Sequence, residues 1–209
     1  NKKGAVWVAI RIPDNAISAH ANQARIHKIP FGDKKNCMYE KDVVNVAREN
    51  GWFKGKDKDF DFQKAYNPSD FSGLRACEAR VWSFFRTFDK GMDKYKKHIM
   101  GDASEEPMPL YIIPDRKVSL ADVREGMRNH YEGTELSMTN DPGAGVYKVP
   151  YRWRPMTFKS EGREYFNERA IATQQTGFVL IAQMRSWLPD AVGGILWFGV
   201  DDANTAVLT

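Results

Sequence analysis

Asn22 and Gln23, inside the stretch ISAHANQARI, are the first residues whose types and position invite a chemical reading. With His20 and Arg25 they crowd the end of an apolar run. Side chains with several hydrogen-bonding atoms are costly at the end of a buried strand unless they bind something or one another. An Asn amide can donate to a developing oxyanion, and an Arg can hold a carboxylate through two parallel hydrogen bonds. The same residue types recur at the ends of later apolar runs. Asn167, Glu168 and Arg169 open RAIATQQT, Arg185 follows FVLIAQM, and Asp201, Asp202 and Asn204 follow GILWFGV. Strand ends in a layered protein commonly frame a pocket. Taken singly, each residue also fits the ordinary role of a loop cap or ion-pair partner.

Other chemistries find little support. There is no GxSxG, no phosphate-binding glycine loop and no nucleotide fingerprint. The four histidines and two cysteines form no CxxC, HxxxH or HExxH pattern, so neither a metal nor a cofactor is expected. Asp57, Asp59 and Asp61 imitate the start of a calcium loop, but Phe62 stands where Gly is needed and Pro68 where Glu is needed. A Cys37 nucleophile with His20 or His27 as base has nothing in the sequence to fix its geometry. A disulfide between Cys37 and Cys77 stays open, although Cys77 falls on a helical stripe where a buried free thiol is usual. The 31 basic and 27 acidic residues are mixed without a long basic block, so the net charge of +4 does not point to nucleic acid. No apolar run approaches the roughly 18–20 residues of a membrane span, and no signal peptide is visible.

These residues need elements to hold them. Two apolar runs, Ala5–Ile12 and Ala16–Ala19, flank Pro13-Asp14-Asn15, which predicts a β-hairpin with a three-residue connection. Val43, Val46 and Ala47 predict a short helix stopped by Asn50-Gly51. Lys54–Asp61 reads as a solvated charged loop. A longer helix opens near Pro68 and Ser69; Leu74, Cys77, Val81, Phe85 and Phe88 form its apolar stripe, with Trp82 and Phe84 beside it and Arg75, Glu78 and Arg80 on its polar sides. Ser119 and Asp122 form a capping signature for a helix carrying Leu120, Val123, Met127 and Tyr131, with Gly133 as its stop. Thr139–Pro155 is loop-like. Its Tyr147, Tyr151, Arg152, Trp153 and Arg154 suit either a pocket wall or a packed surface loop.

The last third turns to β. RAIATQQT over 169–176, FVLIAQM over Phe178–Met184 and GILWFGV over Gly194–Val200 read as strands. The last two are apolar on both faces, which suggests cover on both sides. The fold class is therefore α+β, or a layered α/β/β/α arrangement, and not a βαβ repeat. The chain opens on Asn1 and closes on AVLT, each at or near a strand. Native ends usually lie outside core elements, so a piece of a longer polypeptide, or one chain of a processed protein, is expected. Exposed sheet edges in such a piece leave pairing with a second copy open.

In this order the chain carries ISAHANQARI, LRACEARVWSFFR, VPYRWRP with NERAIATQQTG, and QMRSWLPDAVGGILWFGVDDANTAV. Together they resemble the dipeptidase A (PepD-like) family of bacterial cysteine dipeptidases, N-terminal-nucleophile hydrolases. The resemblance covers Asn1 to Thr209. It implies a four-layer αββα sandwich, incomplete in this chain. It implies one partial domain over 1–209, with a helical and loop insertion over about 27–165. It also implies hydrolysis of dipeptides by an N-terminal Cys whose free amine acts as base. No residue of this chain matches that Cys, so the nucleophile is expected on a missing N-terminal segment and the chain alone is expected to be inactive. By the resemblance, Asn22 is the oxyanion donor and Arg169 the arginine near the nucleophile. Glu168, Asp201 and Asp202 are candidates for the substrate's free amino group. Two alternatives stay open: a non-catalytic, secernin-like protein on the same framework, and a binding domain that recruits a partner through Tyr147–Arg154.

Overall fold

The computed structural model describes residues 4–152 and 157–209. Trp153, Arg154 and Pro155 of the aromatic loop lie outside the described residues. The chain divides into two compact units. The first holds Asn1–Phe85 with Asp89–Asp115, and the second holds Arg86–Phe88 with Arg116–Thr209.

In the first unit, strand β1 (Val8–Ile10) and strand β2 (Ile17–Ser18) do not pair with each other as the hairpin reading expects. β1 pairs antiparallel with β3 (Cys37–Tyr39), with Ala9 opposite Met38. β2 pairs antiparallel with β4 (Tyr111–Ile112), with Ile17 opposite Ile112. The Pro13-Asp14-Asn15 turn does form, closed by Ala16 N–H donating to the Pro13 carbonyl at 3.0 Å. Beyond it each strand satisfies its backbone groups elsewhere. Arg11 N donates to Asn36 O at 2.8 Å, and the Ser18 hydroxyl donates to Leu110 O at 2.7 Å. A local turn thus survives while the ladder is decided by partners distant in sequence.

The helices follow local signals more closely. Helix α1 (Val43–Glu49) ends at Asn50, and Gly51 adopts φ +73°, which only glycine takes without strain. Val43, Val44 and Ala47 of α1 join Ile29, Cys37 and Phe60 in one buried cluster. The charged loop contains a single exposed 3₁₀ turn, Asp57–Asp59, followed by buried Phe60. Helix α2 (Phe62–Tyr66), which periodicity does not predict, is capped by Asp61, whose carboxylate accepts from Lys64 N at 2.9 Å. The long helix starts with α-helical residues 71–72, widens to a π-helix over Gly73–Glu78 and continues as α3 (Ala79–Phe88). Leu74, Val81, Trp82 and Phe85 of its stripe are buried, while Cys77 is half-buried. Both cysteines are free thiols. A 3₁₀ segment and helix α4 (Lys96–Ile99) follow, and Met92 accepts the Trp82 indole N–H at 2.8 Å.

In the second unit, helix α5 (Leu120–Met127) carries the predicted capping box between Ser119 and Asp122. Strands β5 (Thr157–Ser160) and β6 (Arg163–Phe166) form a hairpin. Strands β7 (Phe178–Met184) and β8 (Gly194–Val200) form a second, longer one around the short helix α6 (Asp190–Gly193). RAIATQQT is not a strand. Ala170 and Ala172 are buried, but Ala172 N donates to Asn129 O and Thr176 N closes a turn onto Thr173 O. Backbone groups taken by a distant loop and a local turn leave no ladder to build. The architecture is mixed α and β, consistent with α+β, and among the described residues every ladder is two-stranded and antiparallel. No helix among them is long and apolar enough to cross a membrane.

Candidate functional site

The polar segment after β2 wraps the helix that holds Glu78 and Arg80. Asn22 sits at φ +63°, in the left-handed region that Asn tolerates better than most side chains. Its Oδ1 accepts from Arg80 Nη2 at 2.9 Å. A guanidinium has only donors, so the atom facing it must be the amide oxygen. The Asn22 NH₂ group is thereby turned away from Arg80. Arg80 is fixed in turn: Nε donates to Ala76 O at 2.6 Å and Nη2 to Ala21 O at 3.2 Å. The result is an exposed amide donor with a cation held against its oxygen.

Its neighbours are anchored one after another. Buried Gln23 donates through Nε2 to Asn67 O at 2.8 Å, and Ala24 N donates to Asn67 Oδ1 at the same distance. Arg25 is buried and saturated. Its Nε donates to Glu78 Oε1 and Oε2 at 2.9 and 3.2 Å. Its Nη1 reaches Ala19 O at 3.2 Å and Leu110 O at 3.3 Å, and its Nη2 reaches Pro109 O at 2.8 Å. The guanidinium also lies 5.4 Å from the centre of the Phe85 ring. Burial pushes Arg25 down and Glu78 up from their ordinary values, and the contact between them opposes both shifts. A pair this enclosed keeps its charges only because each group satisfies the other and the spare donors find carbonyls.

Around the pair lie further titratable groups. His27 Nδ1 sits 3.0 Å from Asp61 Oδ2. His98 is buried with an Nδ1 that has no hydrogen-bond partner, and burial followed by the charges of Arg25 and His27 lowers its pKa. A cleft of about 380 Å³ opens beside the segment. Ile10, Ile12, Ile26, Phe62 and Leu110 wall it, and Ser18, His20 and Arg25 supply its polar edge. Cys37 is buried, and burial with the charge of Asp33 raises its thiol pKa, the opposite of what a nucleophile needs.

The other sequence candidates lie in the second unit. The Arg169 carbonyl accepts from Tyr131 Oη at 2.6 Å. Glu168 and Arg169 line a small cavity of about 10 Å³. Asp201 is exposed at φ +72°, and its Oδ1 accepts from Asp202 N at 2.9 Å. Asp202 is 2% exposed, with neither carboxylate oxygen in a well-formed hydrogen bond, and the Tyr151 phenol is the group that interacts with it. The Tyr151 phenol, to which Asn204 donates at 3.2 Å, is pushed up by burial and then by Asp202. Arg185 Nη2 donates to Val192 O at 2.5 Å. No group of three potential metal ligands exists among the described residues.

Of the three charges on the polar sides of this helix, Glu78 and Arg80 are the ones in contact with Arg25 and Asn22. The signal was available: Glu78 and Arg80 are charges inside a helix whose neighbouring positions are almost all apolar. What the sequence lacked was their partner.

Comparison with known proteins adds an independent observation. The model of the family described as peptidase family C69 matches residues 2–209. The chain is 28% identical over 192 residues to a "Probable dipeptidase" of Salmonella dublin, covering 92% of this chain and 38% of that protein. It is 26% identical over 196 residues to a "Probable dipeptidase" of Latilactobacillus sakei, covering 94% and 36%. A "Probable dipeptidase B" of Lactococcus lactis is 26% identical over 212 residues, covering 98% and 39%. The chain thus spans well under half the length of these relatives.

Proposed function

The chain belongs to peptidase family C69, and on that footing we propose that it forms the oxyanion-binding part of a cysteine dipeptidase. The nucleophile of that enzyme lies on a segment this chain does not contain. The reading includes a four-layer N-terminal-nucleophile sandwich to which this chain contributes one partial domain, with the region of about 27–165 inserted.

The observation that carries it is the Asn22–Arg80 contact of 2.9 Å. Acyl transfer from a peptide passes through a tetrahedral intermediate with a negatively charged oxygen, and preorganised donors at that oxygen lower the barrier. The Asn22 amide is oriented by a group that cannot turn it the other way, so it needs no reorganisation when charge develops. The adjacent guanidinium adds a fixed positive charge. In the reaction the Cys thiolate attacks the dipeptide carbonyl, and Asn22 Nδ2 donates to the oxygen. The intermediate collapses with proton transfer to the leaving amine, and water then hydrolyses the acyl-enzyme.

The assignment of Arg169 to the nucleophile's surroundings rests on the resemblance alone, and Arg80 is the arginine in contact with Asn22. Glu168, Asp201 and Asp202 are proposed for the substrate's α-ammonium. Of these, Asp202 is supported by its burial, since a buried carboxylate is stabilised by a cation.

The test is Asn22→Ala in the parent polypeptide. Loss of one oxyanion donor costs on the order of a hundredfold to a thousandfold in kcat. Wild-type turnover of dipeptides by that variant would remove Asn22 from the mechanism. Turnover by the 209-residue chain alone would overturn the assignment of the nucleophile to another segment.

A further inference from the structure

We propose that the buried Arg25–Glu78 ion pair is the positioning element of the Asn22–Arg80 site. The inference rests on the dipeptidase reading above and adds residues that neither touch substrate nor belong to the donor pair.

The argument is connectivity. Arg25 lies three residues after Asn22, and Glu78 lies two before Arg80. Residues two apart on a helix do not share a face. A segment that meets both Glu78 and Arg80 must therefore wrap the helix, and its ends must be pinned for Asn22 to stay in register. Arg25 does the pinning. One side chain ties the wrapped segment to Glu78, to its own Ala19 carbonyl, and to the Pro109 and Leu110 carbonyls. Leu110 immediately precedes β4, and Ser18 pairs with Tyr111, so Ala19 and Leu110 lie at one end of the β2–β4 ladder and Arg25 clamps that end.

The helix is adapted to the same task. Glu78 closes the π-helical stretch that opens at Gly73, and one wider turn shifts every later side chain around the axis. Such turns recur at functional sites because they re-aim side chains without breaking the helix. The Gly73 position lets buried Gln23 lie against the first turn: a Cβ there would stand 2.7 Å from Gln23 Oε1. Gln23, Arg25 and Asn22 thus meet successive parts of one irregular helix, and the shift between π and α geometry falls between Glu78 and Arg80.

A buried ion pair is not by itself a stability device, because well-packed apolar residues often replace one at no cost. That separates positioning from bulk stability. In the parent polypeptide, Arg25→Met with Glu78→Leu removes the charges while filling the volume. Glu78→Asp keeps the charge but draws the carboxylate back by a methylene. Misplacing a catalytic group by an ångström costs up to about a hundredfold. Both variants are expected to lower kcat by about tenfold to a hundredfold with KM changed by less than about threefold. Either variant turning over at the wild-type kcat overturns the proposal. Where the double variant does not fold, Glu78→Asp alone decides. In either variant, added to Asn22→Ala, kcat should fall no further, since the pair acts through that residue; full additivity also overturns it.

A readout without activity separates this inference from the dipeptidase reading. Hydrogen exchange at the Arg80 Nε–H, protected by Ala76 O in the wild type, is expected to quicken by about tenfold or more in Glu78→Asp. Unchanged exchange overturns the positioning role even if the parent polypeptide hydrolyses no dipeptide.

Discussion

Gln23 Oε1 lies 2.7 Å from the point where a Cβ on residue 73 would stand, so Gly73 is glycine because Gln23 occupies that space. The glutamine cannot swing aside freely, since it is buried and its Nε2 is held by Asn67 O at 2.8 Å. Asp70 Oδ1, 3.2 Å from the same point, closes the other side. Gly73→Ala is expected to lower stability by about 1–3 kcal/mol, the usual cost of overpacking. Denaturant unfolding measures it, and an unchanged midpoint contradicts the close approach.

His98 gives stability a pH dependence. Burial, then the charges of Arg25 and His27, hold its folded pKa below the ordinary 6.5, with Asp102 and the Glu105 backbone pulling the other way. The unfolded chain therefore binds the proton more readily than the folded one. The contribution is fully present above pH 6.5 and is lost as pH falls from 6.5 toward the folded pKa. Unfolding free energy measured from pH 8 to pH 5, roughly the window where histidine titrates, should decline, and His98→Asn should flatten that slope. Identical slopes in the two proteins would falsify the assignment.

Ser119 caps α5 reciprocally. Its hydroxyl accepts from Asp122 N at 3.2 Å while Asp122 Oδ2 accepts from Ser119 N at 2.7 Å. Hydrogen bonds from Arg116 and Ser119 hold the Asp122 carboxyl well below the usual carboxylate range. Ser119→Ala is expected to cost about 1 kcal/mol. Its effect should be read at neutral pH, where Asp122 is ionised, because that part of the box fades only as pH falls below the ordinary carboxylate range. A midpoint equal to wild type in thermal unfolding contradicts the cap.

The β7–β8 hairpin presents an unbroken apolar face. Phe178 stands opposite Val200, Leu180 opposite Phe198, Ala182 opposite Leu196, and all six are exposed. A patch of this kind binds apolar dyes and promotes association. In the 209-residue chain, Leu196→Lys should reduce dye binding and light scattering while changing stability by less than about 0.5 kcal/mol, as exposed substitutions do. A loss of several kcal/mol contradicts the exposure of this face.

Much of the local structure was legible in the sequence. The β7 and β8 runs stand where their apolar stretches predict, because β-branched and aromatic residues bounded by turn residues form strands wherever they find a partner. The α5 cap and the Asn50-Gly51 stop were equally readable, since both depend on atoms within four residues. The crowding of His20, Asn22, Gln23 and Arg25 signalled polar groups that needed partners.

The sequence by itself determined which segments could form elements and that the polar segment after β2 required partners. Only the tertiary structure decided what those partners are. β1 went to β3 and β2 to β4 because backbone donors take whichever acceptors the collapsed chain brings near, and a Pro-containing turn does not bind its strands to each other. Asn22 meets Arg80 across 58 residues, and Arg25 meets Glu78 across 53. No local periodicity encodes such distances: a helix records which face is apolar, not which distant charge will be buried against the rest. That selection is made by desolvation, which tolerates a buried arginine only where a carboxylate and spare carbonyls converge on it.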